Sequence, residues 1–284
     1  GGSTGFFGEI EALSDVDDIP SCASKDDHGV IFYTSGTVAK PKGVIQTHGT
    51  AFYNYDATAD YLELKPGDRV FDCRSYSWLS AQHMSLGAPL VAGATTIMAR
   101  HFSQSRYFDW LRDHEINIGF VVPTIVNMLT SRPHSVTGAD LPHLRFLTAS
   151  SAPLLDEQWK QFEGLYGITL AQSCGSSEGG NTAAHRGADR KIGTIGPAQK
   201  YQDIHIVDGE GNRLPRGETG EIIISGGKQQ AFGYLMPNGT IERLPADGHH
   251  SGDLGYLDED GHLHITGRVK ELIIRGGVNI SPLE

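Results

Sequence analysis

Between Tyr33 and Gly43 the chain reads Tyr33-Thr34-Ser35-Gly36-Thr37-Val38-Ala39-Lys40-Pro41-Lys42-Gly43, crowding three aliphatic hydroxyls, two lysines and two glycines into one turn. Such a run suits a polyphosphate. Hydroxyls and free backbone N–H groups donate to phosphate oxygens, glycine lets the backbone close in, and lysine supplies charge. It is not a Walker loop: that pattern is G-x-x-x-x-G-K-S/T, whereas here Pro41 and Gly43 flank Lys42. The kinase glycine loop does not fit either. By residue type alone, the run also reads as an ordinary Ser/Thr/Gly surface turn.

A phosphate turn needs an element behind it, and residues 30–34 form a short apolar run of β-formers. A helix is expected over 50–64, stopped by Pro66-Gly67. Residues 70–73, 95–99, 116–122 and 144–149 read as further strands, and 103–114, 123–131 and 154–166 carry helical spacing. This alternation predicts an α/β fold with a largely parallel, helix-covered sheet. After Gly187 short alternating strands at 203–207, 221–225 and 262–266 are separated by polar turns, the pattern of a smaller antiparallel β-subdomain. The acidic turn at 258–261 lacks an acid at the first calcium-ligand position and has Gly267 at the last, so it reads as a hairpin turn. Asn238-Gly239 likewise reads as a turn, not a glycosylation site.

The 284 residues suit one large or two ordinary domains, and 38% hydrophobic content is ample for a core. A net charge of −11 with no basic face argues against nucleic acid as a partner. Cys22, Cys73 and Cys174 form no CxxC pair, which reads as reduced thiols in a cytoplasmic compartment. The longest apolar candidate, 86–99, is interrupted by Pro89 and two glycines and predicts a buried helix end and a strand, not a membrane span. Nothing in the composition excludes a homo-oligomer. His249 and His250 stand beside no second ligand cluster and read as surface histidines.

The run 33–43 resembles the phosphate-loop signature of the adenylate-forming superfamily, which includes acyl-CoA synthetases, peptide-synthetase adenylation domains and luciferases. Its usual form is T-S-G-T-T-G-x-P-K-G; Val38 and Ala39 replace the usual Thr and Gly. The resemblance implies that Thr34, Ser35, Gly36, Thr37 and Lys42 hold ATP, with Lys42 catalytic. Cys174-Gly175-Ser176-Ser177-Glu178 is similar to the Y-G-x-T-E element: Glu178 would ligate Mg2+, a hard cation that prefers carboxylate oxygen, and Ser177 would donate to the α-phosphate or the reacting carboxylate. Cys174 and Gly175 would flank the adenine, as would the Ser150-Ser151-Ala152 segment, with Ser150 and Ala152 at its backbone. His250-Ser251-Gly252-Asp253 resembles the T-G-D element, whose carboxylate, here Asp253, accepts from the ribose hydroxyls. Trp78 falls where the family places a His or aromatic that gates the acyl site, although a buried core Trp is an equal reading. Gly179 and Gly180 would help line a small apolar acyl pocket.

The stretch 267–284 resembles the family hinge, G-R-x-D/K-x-x-I-x-x-x-G-x-x-I-x-P-x-E, with Arg268 on ribose or phosphate and Lys270 at the pivot. The resemblance implies three regions: 1–187 as the α/β part of the core, 188–266 as the β-rich subdomain, and 267–284 as a hinge toward a C-terminal lid. The family has a further N-terminal portion and that lid, so the chain is expected to be an internal fragment, poorly active alone, with Gly1-Gly2-Ser3 as a cloning remnant. The implied activity joins a small carboxylic acid to AMP from Mg·ATP and passes the acyl group to coenzyme A. A domain loading a carrier-protein thiol and a non-catalytic nucleotide-binding module are the alternatives.

Overall fold

The computed structural model describes residues 22–34, 42–245, 248–269, 273–275 and 278–280, with only the backbone of Thr34 and of the last two stretches. Strands β1 (His28–Thr34) and β2 (Lys42–Thr47) pair antiparallel, ending at Thr34 opposite Lys42. Residues 35–41, which join them, lie outside the described residues. Helix α1 (His48–Tyr61) begins two residues before the expected 50 because Thr47 caps it, its Oγ1 accepting from the Thr50 N–H at 3.1 Å.

The main sheet contains β3 (Arg69–Asp72), β4 (Thr95–Met98), β5 (Ile118–Val121), β6 (Phe146–Ala149), β7 (Leu170–Ser176) and β8 (Gly180–Ala184) in the order β4-β3-β5-β6-β7-β8. The first five run parallel, and β8 turns back antiparallel on β7. Alternate residues of these short apolar strands feed two cores, since successive side chains point to opposite faces. Phe71, Val121, Leu147 and Leu170 face Tyr107, Leu111, Leu129, Trp159 and Phe162 from the helices at Tyr107–Asp113, Pro123–Ser131 and Asp156–Tyr166. Val70, Ile118, Phe120 and Phe146 face Tyr61 of α1 and Met84. Both faces are therefore covered, as parallel sheets require. The helix-covered, largely parallel sheet expected from the sequence is present.

The helix end and strand expected over 86–99 are present, but the helix end is not buried: Leu90 is 78% exposed. Residues 79–92 are helical throughout, with a π-helical turn at His83–Gly87 between two short α segments. His83 is buried there, with Nε2 2.9 Å from Oε1 of Gln46 on β2, and burial pushes its imidazole down to about 3. This neutral contact ties the lysine-bearing strand β2 to the sheet's helical cover.

A second antiparallel sheet, β14-β13-β10-β9, contains β9 (Asp203–Val207), β10 (Gly220–Ser225), β13 (His249–Leu257) and β14 (Leu263–Arg268). Between them in sequence, β11 (Gly233–Leu235) and β12 (Ile241–Arg243) form a hairpin around Asn238-Gly239 that returns to pair with β2. One sheet, β1-β2-β11-β12, thus joins strands from both sides of residue 187. The backbones of β15 (Ile273–Arg275) and β16 (Val278–Ile280) form a two-stranded hairpin.

A buried ion pair locks the end of β3. Asp72 and Arg74 have side chains 0% and 1% exposed; Nη2 meets Oδ2 at 2.8 Å, and Nη1 donates to Oγ of Ser150, just past β6, at 2.8 Å. Ser85 donates to Asp72 Oδ2 at 2.5 Å. Arg74→Met strands a buried carboxylate and is expected to cost about 3–5 kcal/mol in urea unfolding. A loss below about 1 kcal/mol would show that the pair is not a structural anchor.

Candidate functional site

A cleft of about 310 Å³ opens where β6 and β7 reach their carboxyl ends. Ligands of open α/β sheets bind outside such strand ends, though this cleft is displaced from the switch point between β3 and β5. Ser151, Ala152 and Pro153 wall one side, and Cys174 and Gly175 of β7 wall another. The antiparallel sheet closes it with Asp253 and Arg268, which face each other in register across β13 and β14, Nε to Oδ1 at 2.9 Å. Five residues named for nucleotide contact, Ala152, Cys174, Gly175, Asp253 and Arg268, therefore share one cavity.

Ser150 stands apart. It is buried with its hydroxyl on Arg74, and Ser151 takes the place at the wall. Ser151 has φ of 75°, a strained value for a non-glycine residue, held between the anchored Ser150 and the cleft-lining Pro153. The Cys174 thiol is pushed up to about 12 by burial, with the Asp253 charge adding to it, so it offers packing and not a thiolate.

The residues expected at the phosphates stand on β2 and in the turn after β7, with β11 beside them. Ser35, Gly36 and Thr37 lie outside the described residues, and of Thr34 only the backbone is described; the ladder at Thr34–Lys42 fixes the two ends of that turn. Lys42 projects to 4.6 Å from the centroid of the Tyr234 ring. The Tyr234 hydroxyl donates to Oε1 of Glu178 at 3.1 Å, and burial, with Glu178 beside it, pushes the phenol up. Glu178 and Ser177 sit half-buried in the turn between β7 and β8. Ala231 N–H donates to the Glu178 carbonyl at 2.7 Å, tying that turn to the segment before β11. Among the described residues no group of three or more His, Cys, Asp or Glu side chains forms a metal cage. A lone half-buried carboxylate fits Mg2+, which takes few protein ligands and completes its shell with phosphate and water.

Gly179 and Gly180 close the turn after Glu178, and packing by itself asks for glycine at Gly180. Both are buried, and a Cβ on Gly180, at φ 75°, would sit 2.5 Å from Asn54 Oδ1 and 2.8 Å from the Gln229 carbonyl. Trp78 is 48% exposed just before the helical run, which removes the core reading. Lys270 lies outside the described residues. His249 is half-buried on β13, not a surface residue; burial lowers its pKa against the pull of Glu178 and Asp253. His250 is exposed and lies 3.0 Å from Glu221. Sequence reasoning missed Tyr234 and Arg74. Tyr234 gives no local signal, while the charge of Arg74 beside an apolar strand, two residues after Asp72, is a readable one.

A covered parallel sheet whose strand ends open on a cleft of this make-up defines a nucleotide-binding α/β protein. Within that class the chain belongs to the AMP-binding enzymes, whose family model matches residues 6–235. It is 35% identical over 263 residues to a sulfoacetate–CoA ligase of Cupriavidus necator, covering 91% of this chain and 51% of that one. A feruloyl-CoA synthase of Streptomyces is 30% identical over 283 residues, covering 98% and 56%. The ATP-bound crystal structure of MatB from Rhodopseudomonas palustris superposes with a TM-score of 0.83 at 27% identity, covering 96% of this chain and 53% of that one. The chain thus spans about half the length of the relatives it matches. No helix among the described residues is long and apolar enough to cross a membrane.

Cys73 and Cys174 are both pushed up to about 12, whereas Cys22 is exposed. At pH 8 only about one in ten thousand of a thiol with such a pKa is thiolate, so iodoacetamide is expected to label Cys22 first and the other two far more slowly. Rapid labelling of Cys174, read by peptide mass spectrometry, contradicts the packing role.

Proposed function

We infer that this chain is the nucleotide-binding half of an AMP-forming acid–thiol ligase. What carries the reading is the convergence of Ala152, Cys174, Gly175, Asp253 and Arg268 on one cleft, with Lys42 and Glu178 meeting at Tyr234 a few residues away.

In this reading a carboxylate oxygen attacks the α-phosphorus of ATP, the bond from that phosphorus to the bridging oxygen of pyrophosphate breaks, and acyl-AMP forms. The thiol of coenzyme A then attacks the acyl carbon, its proton passing to solvent, and AMP leaves with the carbon–oxygen electron pair. Cys174, Gly175 and Ala152 pack the adenine, Asp253 accepts from the ribose hydroxyls, and Arg268 holds Asp253 in place. Lys42 donates to phosphate oxygens, Ser177 to the reacting carboxylate or the α-phosphate, and Glu178 offers its carboxylate to the cation. When bound, Mg2+ neutralises phosphate charge. The protein's part is positioning and charge compensation, because transfer at phosphorus leaves little covalent work to side chains.

Lys42→Ala and Glu178→Ala are each expected to lower carboxylate-dependent pyrophosphate release by the full-length protein about a hundredfold. Unchanged rates in both variants would remove this assignment. Asp253→Ala is expected to weaken AMP binding about ten- to a hundredfold in calorimetry, with thermal stability nearly kept. Since the two relatives named above act on acids of different shape, the screen spans short anionic, aromatic and long-chain acids. Free coenzyme A set against a carrier protein separates the two thiol acceptors.

A further inference from the structure

Lys42 and Glu178 carry opposite charges and touch the same side chain, yet among the described residues no ion pair joins them. Tyr234 stands between them in a particular orientation. Its ring faces the ammonium, with Nζ 4.6 Å from the centroid, and its edge hydroxyl donates to Oε1 of Glu178 at 3.1 Å. The electron-rich face of a phenol ring attracts a cation, while its O–H serves an anion. A hydrogen bond to a carboxylate also feeds electron density into the ring, which strengthens its hold on the lysine. One side chain thereby stabilises both charges without letting either cancel the other.

The backbone makes this placement firm. Tyr234 lies opposite Val44 and Leu235 opposite Gly43, so β11 is registered on the strand that begins with Lys42. Ala231, at the approach to β11, bonds the carbonyl of Glu178 itself. Lysine, tyrosine and glutamate are thus held by main-chain bonds on three sides of one point.

We propose that Tyr234 is a positioning residue that keeps the phosphate-site lysine and the metal-site carboxylate apart and charged, so that neither must be released from the other before Mg·ATP binds. The proposal rests on the functional reading above, which assigns those two ligands. Without the ring and hydroxyl, the ammonium and the carboxylate are free to collapse into a direct ion pair, and an ion-paired site has to be broken open by its own substrate.

The test is made in the full-length protein and has one arm that needs no ligand. A double-mutant cycle of Lys42→Met and Glu178→Gln on urea stability is expected to show little coupling with Tyr234 present. In a Tyr234→Leu background it is expected to show favourable coupling, a change of about threefold or more in the folding constant. In the ligand arm, calorimetry is expected to give about tenfold weaker Mg·ATP binding for Tyr234→Leu and a smaller loss for Tyr234→Phe, which keeps the packing. Adding Lys42→Met is expected to abolish the difference between the Tyr234→Leu and wild-type backgrounds. Equal coupling in the two backgrounds would overturn the proposal, as would loss of Mg·ATP affinity in Tyr234→Leu that persists unchanged with Lys42→Met. If the wild type binds no Mg·ATP, the functional reading fails and the stability cycle still decides the role of Tyr234. Should Tyr234→Leu not fold, Tyr234→Phe takes its place in the cycle, with the coupling judged for loss of the hydroxyl alone.

Discussion

The arrangement hangs on an ion pair that water does not reach. Asp72 and Arg74 lie at the end of β3, bonded to each other and, through Ser85 and Ser150, to the helical cover and the end of β6. Burying two charges is costly, and a well-packed apolar pair often does as well for stability. What the pair supplies here is direction. The guanidinium can satisfy Asp72 and Ser150 together in one geometry, so the end of β6, which carries one wall of the cleft, keeps its height relative to β3. Ser151, at a positive φ, is the residue through which that geometry reaches the cleft wall.

The cleft itself draws on both sheet systems. The parallel sheet contributes small residues at its strand ends, where main chain can approach a flat ring. The antiparallel sheet contributes Asp253 and Arg268, paired across adjacent strands so that neither moves without the other. A polar, buried chain leads from one system to the other: His185 accepts from the Gln172 N–H at Nδ1 and lies 2.9 Å from Thr194 Oγ1 at Nε2, Thr194 Oγ1 lies 3.2 Å from His262 Nδ1 just before β14, and burial pushes His185 down to about 4. A neutral imidazole there accepts and donates at once, which an aliphatic residue cannot do.

Much of this was legible beforehand, for reasons that can be named. The strands at 70–73, 95–99 and 144–149 each came within a residue or two because short, wholly apolar runs between polar turns have few other readings. The helix at Pro123–Ser131 begins where a proline fixes φ. Five residues that share the cleft were singled out because each is a chemical type in a fixed local pattern. The failures share the opposite property. β2 was read only where its first two residues fall in the phosphate run, β13 was read as a motif with His249 as a surface residue, and the three residues of β11 left no periodic trace. Nor could sequence alone show that Gly180, placed with Gly179 in the lining of a small apolar pocket, is crowded by Asn54 and Gln229. Tyr234 earns its place only through partners from other parts of the chain.

The pairing of β2 with β11 also bears on how the chain is made. The strand that starts with Lys42 is synthesised well before its second neighbour, β11. Contacts that distant in sequence form slowly and only once the intervening polypeptide is available. A nascent chain can therefore assemble much of its parallel sheet well before the β11–β12 hairpin is available to complete the sheet that holds Lys42.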